Sequence, residues 1–163
     1  MITVSHLKKE NDLEIIAELY ADFYANSVLG EKWTKESALK LFKYFYGINK
    51  ELIFVAYRNN EPVGIITSIL KPWYDGNHLV DGELFVAPKY RNGIITKMLV
   101  TALLGYAVVK CNATVIEGAT YEDEKGFPYS LYKRLGFETL NNQLKFVSGD
   151  IKAVLKKINI KKS

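Results

Sequence analysis

Hydrophobic residues in the first third of the chain recur at the spacing of amphipathic helices. After a short strand expected over residues 2–6, the pattern predicts a helix that begins at Asn11, with Glu14 placed to complete a capping box. A loop follows, and Thr34 is the candidate N-cap of a second helix. Two consecutive helices are therefore expected before the main run of strands.

The middle of the chain instead alternates short apolar runs with polar turns, a pattern typical of antiparallel hairpins. Three strands are expected, over residues 52–57, 63–70 and 79–86, and Pro88 ends the last of them. The Asn59-Asn60 pair marks the first turn between these strands.

In the last third, a long apolar helix is expected over residues 94–110, followed by a strand over 113–116 and a short helix over 129–135. An extended segment over 137–147 and a helix over 150–158 complete the pattern. Hairpins pair strands antiparallel, whereas helical crossovers require parallel pairs. The predicted fold class is therefore α/β (α+β), with a mixed, mostly antiparallel central sheet flanked by helices.

The composition is that of a globular domain, since the 163 residues are 48% hydrophobic and 25% charged. The net charge of +4 comes from residues 150–163, which hold five Lys and one Asp, while the rest of the chain is balanced. We expect one domain over residues 1–149 and a basic C-terminal helix or tail over residues 150–163. This distribution argues against a broad nucleic-acid-binding surface. The tail lysines are expected to form a solvated helix end, with a small basic contact as the alternative.

The sequence also argues against several other classes of protein. The longest apolar candidate, Met98 to Val109, contains Thr101 and Gly105 and is too short for a membrane span. The N-terminus lacks the apolar core of a signal peptide, so a cytoplasmic location is expected. The single Cys111 excludes an intramolecular disulfide, and no metal site is expected, because the two histidines lack the spacing of metal ligands.

The segment that starts at Leu84 joins an apolar strand to a helix through a turn that contains Pro88, Arg91 and Gly93. The start of a helix presents backbone N–H groups without helical acceptors, and the helix dipole adds positive potential there. This combination indicates an anion site suited to a pyrophosphate.

Further chemical groups lie on either side of that turn. Asp81 and Glu83 stand two residues apart on the expected strand, and so on one face of it. Tyr132 lies on the short helix, four residues before Gly136-Phe137. With these residues the chain resembles the Gcn5-related N-acetyltransferase (GNAT) family in its whole order of elements. The resemblance is most specific in the segments LFVAPKYRNGIITKML and YSLYKRLGF.

The resemblance implies the acyl-CoA N-acyltransferase fold and acetyl-CoA as cosubstrate. In that family the strand before the loop is splayed from its neighbour and binds pantetheine through its backbone, and the loop binds the pyrophosphate. The residues implied for pantetheine are Leu84, Phe85 and Val86, and those implied for the phosphates are Arg91, Asn92, Gly93, Ile94, Ile95 and Thr96.

The phosphate loop departs from the family pattern at two positions. Ile94 and Thr96 stand where the family has glycines, which allow phosphate to approach the backbone closely. Either the loop shifts to use Gly93, with the Thr96 hydroxyl as an added donor, or binding of the cosubstrate is weak. A non-catalytic GNAT-fold binding or regulatory module is the alternative function that follows from weak or absent binding.

The resemblance implies that Tyr132 protonates the departing CoA thiolate, because a phenol and an alkyl thiol have similar proton affinities. Without the resemblance, Tyr132 is one more core residue of a short helix. Asp81 and Glu83 are the candidates for accepting the proton of the incoming ammonium, directly or through water. Glu83 lies nearer the pantetheine segment and Asp81 deeper in the expected cleft, and a bulge at Gly82 would change which of them points inward.

Two more residues are candidates for binding the acceptor. Glu117, at the end of the strand over 113–116, would favour a cation, and Trp73, expected in a turn, would wall the pocket or stack on an amine. The predicted function is that of an enzyme, an acetyl-CoA-dependent N-acetyltransferase acting on a small-molecule or peptide amine. The expected acceptor is a small cationic amine or a protein amino group. The aromatic first two helices are a candidate homodimer surface.

Overall fold

The computed structural model places the elements that it describes in the predicted order, with two of the predicted strands each divided in two. It describes residues 1–27, 30–91, 93–119, 126, 129–134 and 136–138, which fall in two units, residues 1–119 and 120–163. The strands are β1 Ile2–His6, β2 Ile53–Arg58, β3 Glu61–Thr67, β4 Ile69–Trp73, β5 Gly76–Val80, β6 Leu84–Val86 and β7 Ala113–Ile116. The helices are α1 Asp12–Ala25, α2 Lys35–Asn49, α3 Ile94–Cys111 and α4 Tyr129–Arg134. Residues 139–147 of the extended segment predicted over 137–147 lie outside the described residues, as does the helix predicted over 150–158.

Four antiparallel strands form the first sheet, in the order β1-β2-β3-β6. β1 pairs with β2 from Ile2 opposite Arg58 onwards. The hairpin between β2 and β3 turns at Asn59 and Asn60, whose φ angles are 51° and 67°. Positive φ at both central residues is typical of a type I′ turn, which asparagine tolerates, so the predicted turn is confirmed.

Helices cover both faces of this sheet, as predicted. α1 and α2 pack on one face and α3 packs on the other. Successive residues of β2 alternate between the two cores: Val55 and Tyr57 face α1 and α2, whereas Phe54 and Ala56 face α3. The predicted fold class, a mostly antiparallel sheet flanked by helices, is confirmed.

The second sheet contains β4, β5 and β7 in that order. β4 and β5 form an antiparallel hairpin in which Trp73 lies opposite Gly76. β5 and β7 are parallel, with Leu79 opposite Ile116. The chain passes from β6 through α3 to β7, and this helical connection makes β7 parallel to β5. The parallel pair expected from the sequence is therefore present.

The strand predicted over residues 79–86 is interrupted between β5 and β6, where the chain passes from the second sheet to the first. Asp81 has a left-handed backbone conformation with a φ of 47°. Gly82 lies so close to β3 that an added Cβ atom would be 2.4 Å from the carbonyl oxygen of Thr67. The expectation that Asp81 and Glu83 share one face of a continuous strand is therefore wrong, because the alternation of faces breaks between them.

The two N-terminal helices begin differently. At α2, the Thr34 hydroxyl accepts from the Ser37 amide at 3.1 Å and the Ser37 hydroxyl accepts from the Thr34 amide at 2.9 Å, so the predicted N-cap is confirmed. At α1, Asn11 makes no side-chain cap, and the predicted capping box is wrong. Asn11 itself has helical dihedrals, with φ −61° and ψ −20°, whereas a capping side chain reaches the first amides from an extended backbone.

The helix α3 is long and apolar, with 18 residues and a mean hydropathy of 1.7. By length and composition alone this helix could cross a membrane, although the run from Met98 to Val109 is shorter than a span and the helix also contains Lys97 and Lys110. One such helix is weak evidence, because the core helix of a soluble protein passes the same test. The buried residues of α3 recur every four positions and pack against the first sheet: Ile95, Leu99, Leu103 and Ala107.

Candidate active site

Two neighbouring strands separate at the junction between the two sheets. β5 is paired with β7, and the Glu117 amide donates to the Leu79 carbonyl oxygen at 2.8 Å just beyond the end of β7. The chain then continues from β5 into β6, which pairs with β3. Among the strands that the structure describes, no other pairs with β6, so the edge of β6 opposite β3 is called the open edge below.

The open edge of β6 carries backbone hydrogen-bonding groups. The main-chain groups of Glu83 and Ala87 bond to β3, each with an N···O distance of 2.9 Å. Because successive residues of an antiparallel strand bond to alternate sides, the main-chain amides of Leu84 and Val86 point to the open edge. An extended ligand with amide groups can bind such an edge as an added strand does.

The start of α3 follows this edge along the chain. α3 begins after Gly93, whose φ is 79°, and a Cβ added there would meet no heavy atom within 4 Å, so the positive φ alone favours glycine. The amides of Ile95 and Thr96 lie in the first turn, which offers them no helical acceptor and which attracts anions. The Ile94 side chain is 61% exposed. Asn92 lies outside the described residues.

Arg91 connects the end of β6 to α1. Its Nε donates to the Val86 carbonyl oxygen at 2.8 Å, and its Cζ lies 4.0 Å from the centroid of the Phe23 ring. The hydrogen bond and the cation–π contact hold the guanidinium charge beside β6.

Glu83 is a partly buried carboxylate at the junction between β5 and β6. The Tyr20 hydroxyl donates to its Oε2 at 3.3 Å, and the Glu83 amide donates to Thr67 Oγ1 at 3.1 Å. Burial raises the pKa of Glu83, the hydrogen bond from Tyr20 opposes the rise, and the charge of Glu31 adds to it. With a raised pKa, Glu83 is a better base near neutral pH than an ordinary glutamate.

Asp81 does not share this environment. It is exposed, and its left-handed backbone places it outside both β5 and β6. Of the two carboxylates predicted as bases, Glu83 is the one that the structure places against α1.

Of the two residues predicted to bind the acceptor, Trp73 belongs to the second sheet and Glu117 directly follows its strand β7. Trp73 is the last residue of β4 rather than a loop residue as expected, and it is 50% exposed. Lys71 Nζ lies 4.0 Å from the centroid of the Trp73 ring. Trp73 stands about 13 Å along the strand from Ile69, where β4 leaves the junction. The structure therefore places Trp73 at the far end of the hairpin.

Glu117 contacts the buried side chain of His78. Its Oε1 bonds to His78 Nδ1, and His78 Nε2 lies 2.8 Å from Asp75 Oδ1. The hydrogen bond to Glu117 is the main cause that raises the pKa of His78, and Asp75 adds to it against the effect of burial. In the structure Glu117 is thus a partner of His78, and its role toward an acceptor stays a prediction.

Tyr132 belongs to α4, in the second unit of the chain. Its ring makes an edge contact with Phe137, with 5.3 Å between centroids, and the Phe137 amide donates to the Tyr132 carbonyl oxygen at 3.1 Å. Gly136 turns the chain after the helix with a φ of 88°. The predicted short helix and its glycine stop are confirmed, and the role of Tyr132 as an acid stays a prediction.

The partners of Glu83 were missed by the sequence analysis. Tyr20 fits the apolar stripe of α1, and Thr67 is an ordinary strand residue by pattern. The one feature of the sequence that indicates such a contact is the phenol of Tyr20, because a buried hydroxyl needs a hydrogen-bond partner. That partner lies 63 residues further along the chain, beyond the reach of a local pattern.

A comparison with protein families decides the family of this chain. The model of the acetyltransferase (GNAT) family matches residues 13–137, more than half of the sequence. The chain belongs to the GNAT family. The resemblance seen in the sequence is therefore confirmed, and family membership supports acetyl transfer as the general activity. No curated protein matches this GNAT chain in sequence.

Solved structures share the fold of this GNAT protein at low sequence identity. A predicted acetyltransferase with acetyl-CoA from Clostridium acetobutylicum has a TM-score of 0.64 at 18% identity, covering 90% of this chain and 96% of that one. A possible acetyltransferase from Clostridium difficile 630 has a TM-score of 0.72 at 15% identity, covering 92% and 99%. An aminoglycoside N-acetyltransferase in complex with CoA has a TM-score of 0.64 at 13% identity, covering 91% and 95%. The acyl-CoA N-acyltransferase fold is confirmed.

Proposed function

We propose that this GNAT protein is an enzyme that transfers the acetyl group of acetyl-CoA directly to a primary amine. The proposal is carried by one juxtaposition: the open edge of β6 leads towards the start of α3 and begins beside the partly buried carboxylate of Glu83. The first two features suit the two parts of the cosubstrate, and the third supplies a base.

The open edge and the helix start fit the chemistry of acetyl-CoA. The pantetheine arm contains amide groups, which can hydrogen-bond as an extended strand to the main chain of Leu84 and to the amide of Val86, whose carbonyl oxygen already accepts from Arg91. The pyrophosphate is an anion suited to the amides of Ile95 and Thr96 in the first turn of α3. Arg91, held beside β6, adds positive charge to the same region.

Acetyl-CoA supplies an acyl group activated as a thioester. The acceptor ammonium loses two protons in the reaction, and Glu83 receives the first, directly or through water, before it passes to solvent. A C–N bond forms as the C–S bond breaks, and the second proton ends on the CoA thiolate, for which Tyr132 is the proposed donor. Holding thioester and amine in contact supplies much of the acceleration.

We propose a cationic amine as the acceptor. Burial raises the pKa of Tyr20, and the charges of Glu83 and Glu31 add to the rise, so both carboxylates act on this end of α1. The rings of Tyr24 and Trp33 lie 4.6 and 5.3 Å from the Tyr20 ring. Carboxylates and aromatic rings both favour an ammonium group.

Isothermal titration calorimetry of the full chain with acetyl-CoA tests the first step. We expect one site with a micromolar Kd, equivalent to about −8 kcal/mol. A panel of amines, scored by release of the CoA thiol, then tests transfer. It contains polyamines, peptides and aminoglycosides, the last because a structural neighbour is an aminoglycoside N-acetyltransferase.

The alternative is a non-catalytic GNAT-fold binding or regulatory module, which Ile94 favours by standing in place of a family glycine. Absence of acetyl-CoA binding, or binding without transfer to any amine of the panel, would support this alternative and contradict the proposed enzyme.

A further inference from the structure

The Tyr20 ring is fixed in the core between α1 and the first sheet. It is 2% exposed, and the rings of Trp33, Phe42 and Phe85 each lie 5.3 Å from it in edge contacts. Close packing on several sides restricts a side chain to one rotamer. The Tyr20 hydroxyl therefore has a fixed position relative to β6.

Glu83 is held from two directions. Its main chain bonds to Thr67, through the Glu83 amide to Thr67 Oγ1 at 3.1 Å and through its carbonyl oxygen to the Thr67 amide at 2.9 Å. Its carboxylate accepts from the Tyr20 hydroxyl through Oε2. This contact uses Oε2, and within the residues that the structure describes no hydrogen bond to Oε1 of Glu83 is present.

We propose that Tyr20 is a positioning residue, which holds Oε2 of Glu83 so that Oε1 faces the amine and receives its proton. The proposal rests on the proposed function for the choice of Glu83 as the base. Tyr20 acts through Glu83 and has no contact of its own with the reacting atoms.

The same hydrogen bond governs the protonation of Glu83. Burial raises the pKa of Glu83 and the charge of Glu31 raises it further, whereas the Tyr20 hydroxyl lowers it. β3 contributes the neutral side chain of Thr67. The pKa of Tyr20 is itself raised by burial, by the charge of Glu83 and by Tyr24, which also hydrogen-bonds to it, so the phenol stays neutral at working pH. Without that hydroxyl, Glu83 would remain protonated over a wider pH range and act less often as a base.

Tyr20→Phe removes the hydroxyl and keeps the ring. In the parent, the acidic limb of the pH profile of kcat/KM is set by Glu83, and in the variant we expect it to move upward by about one to two pH units. On the acidic limb we expect kcat/KM at a given pH to fall about tenfold for each pH unit of this shift, with the Kd for acetyl-CoA within about twofold of the parent. A purely structural role of Tyr20 would leave the acidic limb of the pH profile of kcat/KM unchanged.

Tyr57→Phe is the matched control. Tyr57 is 1% exposed in the same core, and its hydroxyl donates to Asp12 Oδ2 at 2.8 Å. The control variant thus also loses a buried hydroxyl bonded to a carboxylate, but it leaves Glu83 untouched. We expect a comparable loss of stability and an unmoved acidic limb. An unmoved limb in Tyr20→Phe, or equal shifts in both variants, would overturn the proposal.

Direct titration of Glu83 by carboxyl ¹³C NMR separates this proposal from the proposed function, because it needs no turnover. A higher Glu83 pKa in Tyr20→Phe than in the parent supports the coupling of Tyr20 to Glu83. If the parent acetylates no amine, the proposed function and the choice of Glu83 as the base fail, while this coupling stands. An unchanged Glu83 pKa overturns the role of Tyr20 even if the parent is an active enzyme.

Folding provides a further readout if Tyr20→Phe is too unstable to assay. In the background of Glu83→Ala, which removes the carboxylate, Tyr20→Phe should destabilise the protein much less than it destabilises the parent. Equal destabilisation in both backgrounds would show that the two side chains are not coupled and would overturn the proposal.

Discussion

Gly82→Ala tests the close approach of the β5–β6 junction to β3. An added Cβ would lie 2.4 Å from the carbonyl oxygen of Thr67, whereas ordinary contacts begin near 3.4 Å. The obstacle is main chain and cannot rotate away. The two segments must therefore separate by about 1 Å in a closely packed interior.

Three contributions set the expected loss of stability. Overpacking costs about 1–3 kcal/mol, and the separation strains two hydrogen bonds between Thr67 and Glu83, each worth about 1 kcal/mol. Alanine offsets about 0.4–1 kcal/mol by stiffening the unfolded chain. We expect a net loss of about 2 kcal/mol, which lowers the Tm of a chain of this size by about 4–8 °C.

Urea unfolding followed by circular dichroism measures this free energy. Gly105→Ala is the matched control, because a Cβ added at Gly105 in α3 meets no heavy atom within 4 Å. The same substitution should there stabilise the protein by about 0.5–1 kcal/mol. A Gly82→Ala variant as stable as the parent would refute the close approach of Gly82 to the Thr67 carbonyl oxygen, which sets the position of Glu83.

Three further changes address other parts of the molecule. Tyr132→Phe should lower kcat by about 100-fold or more while acetyl-CoA affinity stays nearly intact, as measured by thiol release and calorimetry. Gly93→Val should weaken acetyl-CoA binding about tenfold in calorimetry, because a φ of 79° is strained for a β-branched residue. The pKa of His78 is raised in the fold by Glu117 and then by Asp75, so its stabilising effect is complete below about pH 6.5 and lost as the pH rises through the folded-state pKa. Urea midpoints should fall over that window in the parent and stay level in His78→Asn.

Each of these expectations has a contrary outcome. Equal turnover of Tyr132→Phe and the parent would remove the proposed acid. Unchanged acetyl-CoA affinity in Gly93→Val would mean that the phosphates bind elsewhere. A parent urea midpoint that rises with pH through the same window would contradict the pairing of His78 with two carboxylates.

Features decided by neighbours in the sequence could be predicted. The turn at Asn59-Asn60 follows from the tolerance of asparagine for positive φ. The start of α2 at Thr34 follows from a hydroxyl that reaches the amide three residues on. The order of elements and the family motifs around Gly93 could be predicted because they too depend on residues that are close together in the sequence.

Features decided by distant contacts could not be predicted. The strand breaks at Asp81, next to the point where Gly82 lies close to the carbonyl oxygen of Thr67. A strand pattern alone predicts a continuous strand here. The Tyr20 hydroxyl meets Glu83 across 63 residues of sequence. An apolar stripe locates the Tyr20 ring in the core but gives no partner for its hydroxyl.

Amide hydrogen exchange, followed by NMR on the full chain, tests most directly whether the open edge of β6 and the start of α3 receive acetyl-CoA. With saturating acetyl-CoA we expect slower exchange at Leu84 and Val86 and in the first turn of α3, at Ile95 and Thr96. Phe85, whose backbone already faces β3, should change little. Unaltered exchange at Leu84 and Val86, with protection confined to another surface, would contradict this placement of the cosubstrate.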